Sequence, residues 1–432
     1  KTFRDPENSM TSTLETSASA AHGNPVYSRR VLPAPAAFAL LMSVIIFFLA
    51  ASSAPTPLYG TYQQMWHFSP IMTTVVFGVY ALAVLVGLLV VGRLSDHIGR
   101  RPVLLAAIAV QFPAMLVLLN AGSVGDLLIA RVLQGVATGA AAGAVGAGLL
   151  DINPARGTLA NAVSAPIGTA SGSLLAAVFV QYLPAPTHLI YGVLLGLFAL
   201  QFVGVLMMKE TVTRKPGALA SLRPELGIPA RARGPVLIAA PALVAGWSLA
   251  GLYGSLSPAI VHQIAGSHWL LLGGLPLFVA AGLGALTVIA TRTIAPVRLM
   301  LMSTVALMIG TALSLVSENV GSLSLFFAGA VVGGMGFGGA FQASVKLVLP
   351  MAHPHERAGL LSVIYTVSYL GMGIPAVVAG WLVVHEGGLM KTAREFSVFA
   401  FALAVVAFAG LALREWSTRR GLKREMTLEL AS

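Results

Sequence analysis

Residues 91–105, VGRLSDHIGRRPVLL, gather Arg93, Asp96, His97, Arg100 and Arg101 between two runs as apolar as lipid, FGVYALAVLVGLLV and AAIAVQFPAMLVLL. Charges of both signs at this spacing suit ion pairing rather than catalysis. Asp96, at a helix end, can accept from the N-terminus of a neighbouring helix, where partial positive charge sits. Arg100 or Arg101 can then bridge to a carboxylate at another helix end, for which Asp151 is the candidate. Gly92 lets two helices approach closely, and Gly99 suits a turn with unusual backbone angles. Such contacts would hold two helix bundles together at this end in one state of the molecule and break in another. The plainer alternative is that the cations only anchor the chain at a membrane surface.

A second group, Asp126, Arg131 and Gln134, lies in the apolar run 124–150. Arg131 falls inside that run, where a cation costs ~2.5 kcal/mol or more unless it is paired or faces water. It is a candidate coupling group, with Asp126 as a participant or as a fixed partner. A third set is polar or aromatic and sits inside other apolar runs: Ser52, Ser53, Thr56 and Tyr59; Trp247, Tyr253, Ser255 and Ser257; Phe337, Phe341 and Gln342; Tyr365, Ser368 and Tyr369. Together these describe a mixed pocket with a few hydroxyls and amides, the usual character of a small-molecule site.

Chemistry that is missing narrows the class further. There is no H-E-x-x-H, no pair of aspartates inside an apolar run and no histidine cluster there, so no convergent nucleophile, base or metal ligands are expected. No G-x-x-x-x-G-K-S/T occurs, which removes direct drive by ATP. Cysteine is absent, and neither a cofactor nor a metal is expected. The net charge of +11 is dispersed in small clusters between apolar segments, not arrayed as a nucleic-acid-binding stripe.

The elements that must position these residues are membrane spans. The 432 residues are 57% hydrophobic and 9% charged, whereas a soluble chain carries about 25% charged residues. A bilayer core of about 30 Å takes ~20 apolar residues in a helix. That ruler places helices at 36–58, 70–92, 102–121, 124–150, 157–183 and 187–208, then at 234–260, 267–291, 296–316, 321–349, 357–384 and 394–415. The organisation expected is a disordered N-terminus (1–35), a six-helix bundle (36–208), a basic, proline-containing linker (209–233), a second six-helix bundle (234–415) and a tail (416–432).

Lysine and arginine concentrate at one set of loop ends: Arg29, Arg30, the 93–101 knot, Arg156, the linker, Arg292, Arg298, Arg357 and the tail. Only Lys391 and Arg394 lie on the other side. By the positive-inside rule both termini and the linker are expected to be cytoplasmic. DINPARGTLANAVS (151–164) and AHPHERAGLLSVIY (352–365) are faint repeats of one another, which aligns the fourth helix with the tenth.

Gly92, Asp96, Gly99, Arg100 and Arg101 closely resemble the G-x-x-x-D-R/K-x-G-R/K-R/K signature of the major facilitator superfamily, in the loop between helices two and three. His97 stands where that family usually has Arg or Lys. Arg131, Gln134 and Gly135 resemble its R-x-x-Q-G pattern in the fourth helix. The fifth-helix pattern of its drug:proton antiporters, G-x-x-x-G-P-x-x-G-G, is met only in part: Pro166, Gly168 and Gly172 are present, but Ala165 and Ala170 replace glycines. Gly135, Gly139 and Gly143 recur every four residues, a helix-packing spacing.

The resemblance implies an all-α integral membrane protein with twelve transmembrane helices in two six-helix bundles related by pseudo-two-fold symmetry, and a gating role for the charged knot. It implies alternating access for a small molecule, with protons and membrane lipid as the other partners, and export as the first direction to consider. A metabolite importer or uniporter of the same fold is the alternative, a membrane-embedded enzyme or sensor is the alternative from another class, and a monomer is expected. No Asp or Glu lies mid-span; Asp126, Asp151, Glu318, Glu356 and Glu386 all fall at ends or in loops, so the substrate is expected to be neutral or anionic.

Overall fold

The computed structural model describes residues 31–266 and 269–429, with the backbone alone at Pro354 and from 416 onward. Of the disorder expected over residues 1–35, residues 1–30 lie outside the described residues, while the first helix begins at Ala34, inside the expected range. Among the described residues there are no strands, and twelve helices are long and apolar enough to cross a membrane. In chain order they are α1 (Ala34–Ser53), α2 (Pro70–Val91), α3 (Arg100–Leu119), α4 (Val124–Ile152), α5 (Pro154–Tyr182) and α6 (Pro186–Leu206). After the linker come α7 (Arg233–Ser255), α8 (Leu271–Ala290), α9 (Pro296–Val320), α10 (Leu323–Val348), α11 (Arg357–His385) and α12 (Leu389–Glu429).

Local chemistry marks the ends. Proline opens α2, α5, α6 and α9, where its missing N–H is not needed. Side-chain oxygens of Ser123, Asn153 and Ser322 accept from the first-turn N–H groups of α4, α5 and α10.

Three spans differ from the sequence reading. The first, placed at 36–58, stops at Ser53; Pro55 and Pro57 lack N–H donors, so a 3-10 turn at Thr56–Leu58 precedes a second helical piece, Tyr59–Trp66. The seventh, placed at 234–260, ends at Ser255 and resumes as Ser257–Ala265, with Pro258 in the new first turn. The last, placed at 394–415, begins earlier, after Gly387 and Gly388 at φ 117° and 87°, and its helix continues to Glu429.

Two apolar cores form, one from Ala37 to Met208 and one from Ala232 to Leu411. The first six spans and the last six are thus separately packed bundles. They meet where α2 lies on α11 and α5 on α8, with a small shared cluster of Phe77, Ala81, Met372 and Ala376. Helices come close where side chains vanish. Gly135, Gly139 and Gly143 of α4 lie against the α2 backbone near Tyr80, Val84 and Gly92, and Gly168 and Gly172 of α5 lie against Ile46 and Ala50 of α1. Pro166 is carried inside the continuous α5.

Candidate functional site

The charged knot is a capping and pairing network at the linker end. Gly99, at φ 106°, turns the chain from the short helix Ser95–Ile98 into α3. The exposed N–H groups of that new helix attract a carboxylate. Asp96 was the candidate from sequence; the structure supplies Glu210, whose oxygens accept from the backbone N–H of Arg100 at 2.8 Å and of Arg101 at 3.0 Å. A side chain at position 99 would collide with that carboxylate. Asp96 instead pairs with the Arg100 guanidinium, which also donates to Ser95 at 2.8 Å and to Asp151 at 3.0 Å. Arg101 donates to the carbonyls of Val205 at 3.1 Å and Leu206 at 2.5 Å, at the C-terminal end of α6.

Every one of these partners belongs to the first bundle or to the first residues after it. In this conformation the knot ties α2, α3, α4 and α6 to one another, not one bundle to the other. The linker makes the crossing. Lys215 N–H donates to the His97 carbonyl at 2.8 Å, Glu225 pairs with Arg93 at 2.5 Å, and Gly227 lies beside Gly359 at the start of α11. Glu210 and Glu225 were not singled out by sequence. Their signal was position alone: the acids of an otherwise basic linker.

The second half has its own cluster in a different place. Arg231, just before α7, pairs with Glu356, and its Nη1 lies 2.8 Å from His353 Nε2. The His353 backbone N–H, and then the Arg231 charge, hold the Glu356 carboxyl below its ordinary range. Lys346 donates to the carbonyls of Thr291, Arg292 and Ile294, closing the C-terminus of α8.

Arg131 is 1% exposed, the largest fully buried side chain among the described residues. Its guanidinium donates to the Ser52 carbonyl at 2.7 Å, to Gln134 Oε1 at 2.7 Å and to the Tyr59 hydroxyl at 2.6 Å, and it stacks over the Tyr80 ring at 4.8 Å. Among the described residues no carboxylate lies within ion-pair distance of it. The structure separates Asp126 from this group: it is exposed in the first turn of α4, accepting from Ser123 and the Gly122 N–H. Ser52, a pocket candidate by residue type, meets Arg131 through its backbone carbonyl and not through its hydroxyl.

From Tyr80 the contacts continue into the second bundle. Phe77 and Ala81, beside it on α2, pack with Met372, Trp247 and Tyr369. Trp247 sits in a ring of aromatics: Tyr369 at 5.0 Å, Phe337 at 5.6 Å and Phe341 at 5.9 Å, with Tyr365 against Phe341 at 6.0 Å. Along this path Arg131 Nε, Gln134 Nε2 and Trp247 Nε1 are buried without a hydrogen-bond partner. All three can donate.

The other candidates from sequence make structural contacts. Ser53 donates to the Thr169 carbonyl at 2.9 Å, fastening α1 to α5. Thr56 donates to the Gly254 carbonyl at 3.0 Å, joining the breaks of α1 and α7 across the bundles. Tyr253 is buried against Phe326, its hydroxyl 3.3 Å from Ser314, and Ser257 donates to the Tyr253 carbonyl at 2.7 Å. Gln342 accepts from Thr291 at 2.8 Å and donates to the Val288 carbonyl at 3.0 Å, tying α10 to the end of α8.

The family model described as Major Facilitator Superfamily matches residues 37–317, and the chain belongs to that superfamily. It is a multi-pass membrane protein of the twelve-helix transporter type. Among solved structures it is similar to the nucleoside transporter NupG, with TM-score 0.64 and 13% identity, over 87% of this chain and 98% of that one. It is also similar to the human organic anion transporter MFSD10 (TETRAN), with TM-score 0.62 and 16% identity, over 87% of this chain and 100% of that one. At such identities the likeness is one of fold. No curated protein matches the sequence.

Proposed function

We propose that this transporter moves a small amphipathic molecule, neutral or anionic, across the cytoplasmic membrane by alternating access, exporting it in exchange for protons. The observation that carries the reading is Arg131: a buried cation with no carboxylate in reach, joined by a continuous contact path to an aromatic wall, with unpartnered donors along the way. Buried donors call for an acceptor, and a buried positive charge disfavours a cationic ligand. Two structural neighbours, a nucleoside transporter and an organic anion transporter, are compatible with this substrate class. A guanidinium stays protonated, so Arg131 would take part in coupling by exchanging acceptors rather than by losing its proton. The lysine and arginine bias supports a cytoplasmic linker end.

A facilitator or importer of the same fold is the second reading. The absence of any mid-span Asp or Glu favours it. Inside-out vesicles with an acidic lumen and a fluorescent ΔpH reporter separate the two. Neutral and anionic amphipaths should collapse the gradient in the wild type and not in Asp96→Asn. Collapse by cations alone removes the substrate class. No collapse, with labelled solute equilibrating through the wild type, replaces exchange by facilitation.

A further inference from the structure

Among the described residues Glu318 is the one Asp or Glu that packing buries, at 4% exposure. It lies two residues before the end of α9, away from the linker, yet inside the second bundle. Ser397 of α12 donates to its Oε1 at 3.0 Å, while Oε2 is buried without a hydrogen-bond partner. No lysine, arginine or histidine among the described residues lies within ion-pair distance of it.

The α9 helix packs against α10, α12 and α7. From α12 comes Arg394, three residues before Ser397, but its guanidinium donates to Asn319 Oδ1 at 3.3 Å and to the Met390 carbonyl at 3.1 Å. Lys391 and Glu395, on the exposed side of α12, pair with each other. From α7 comes Tyr253, whose hydroxyl lies 3.3 Å from Ser314, one turn before Glu318 on the same face of α9. Residues 323–330, the facing turns of α10, hold no titratable group. A carboxylate taken out of water is costly unless a cation or several donors meet it. Glu318 has one hydroxyl. The carboxylic acid forgoes far less hydration, and Ser397 satisfies its carbonyl oxygen.

We propose that Glu318 is a proton-binding site, occupied in this conformation, whose ionised form is taken up by Arg394 and loosens the end away from the linker. Release breaks the Oε2–H bond and passes the proton to water at that end. The carboxylate then draws Arg394 from Asn319, so one tie between α9 and α12 is exchanged for another. Tyr253, which meets Ser314 on the same face, precedes Gly254, whose carbonyl accepts from Thr56 of the first bundle at 3.0 Å. A change of charge here therefore acts beside the segment of α7 that fastens the two bundles. The site shares no residue with the path from Arg131 to Trp247, and it does not depend on the substrate or direction of transport.

Infrared spectra of the purified full chain test the site, with Glu318→Gln as reference because its amide oxygen can keep the Ser397 hydrogen bond. At about pH 6, where exposed carboxyls are ionised, the wild type should show a carboxylic-acid C=O band that moves in D2O and is missing from Glu318→Gln. The band should fall at least about tenfold by about pH 9. In Arg394→Gln the fall should need a higher pH, because the carboxylate has lost its cation. A single cysteine at buried Thr73 reads the effect on the fold. Its labelling by a membrane-impermeant maleimide should speed up with pH more steeply in the wild-type background than in Glu318→Gln, which shares the ordinary response of the thiol. The proposal is overturned by a wild type without an acid band assignable to Glu318 or by a band indifferent to pH. It is overturned equally by an unchanged profile in Arg394→Gln or by labelling that rises alike in both backgrounds.

Discussion

At the scale of the residue, Arg131 shows how a cation is kept inside a membrane protein without an anion beside it. A peptide carbonyl, an amide oxygen, a phenol oxygen and an aromatic face share the charge. Each is a fixed dipole or quadrupole that needs no desolvation of a carboxylate, the costly part of a buried ion pair. The guanidinium fork reaches several acceptors at once; a lysine ammonium is a compact point charge and cannot. Arg131→Lys should therefore insert and fold yet lose at least about tenfold in transport in vesicles, since the acceptors are no longer held in one plane. Tyr59→Phe leaves one guanidinium donor unpaired and should lower stability by about 1–3 kcal/mol, read as an earlier thermal unfolding transition. Equal stability of Tyr59→Phe and wild type would mean that Arg131 finds another acceptor.

At the scale of the element, α4 and α2 are held together by missing side chains. A methyl group on Gly139 would reach the Val84 carbonyl and the Leu88 N–H and come within 2.8 Å of the Gly87 carbonyl carbon, all backbone that cannot rotate aside. Gly139→Ala should cost about 1–3 kcal/mol through overpacking. Gly196, on α6, has nothing within 4 Å of its would-be methyl, so Gly196→Ala should be neutral or slightly stabilising through helix propensity. Thermal unfolding of the two variants in detergent tests the contrast, and equal shifts would argue against close α2–α4 contact. The glycine period in α4 was plain in the sequence. Its partner was not, because a period names the face of a helix and says nothing of what lies across from it.

At the scale of the whole molecule, the bundles meet through α2 on α11 in the half away from the linker. Thr74 lies four residues inside the start of α2, about 6 Å along the axis, and Gly380 of α11 leaves no room for a side chain against it. A branched residue at 380 should wedge this half open. The chain has no cysteine, so a single Thr73→Cys, at a position buried beside Thr74, reports access directly. In Gly380→Val, labelling at that position by a membrane-impermeant maleimide should speed up and transport should fall. Unchanged labelling would show that the α2–α11 contact does not hold this end closed.

Composition by itself determined the class of fold, because the hydrocarbon core acts on each span separately: about twenty apolar residues must pair their backbone groups within one helix. The number of spans, the gap between two sets of six and the loop motifs followed from that local rule. Tertiary structure decided which groups meet. Glu210 caps α3 from 110 residues away, Arg131 binds a backbone carbonyl of α1, and Asp126 stays at the surface of its own helix. Ser53, Tyr253 and Gln342, candidates for the pocket by residue type, bond to neighbouring helices and Ser257 to the Tyr253 carbonyl across the α7 break, whereas Phe337, Phe341 and Tyr369 surround Trp247, with Tyr365 against Phe341. Hydropathy depends on how many apolar residues a span holds; these meetings depend on how each helix is rotated about its axis and on which bundle faces it, and both are settled only when the helices pack.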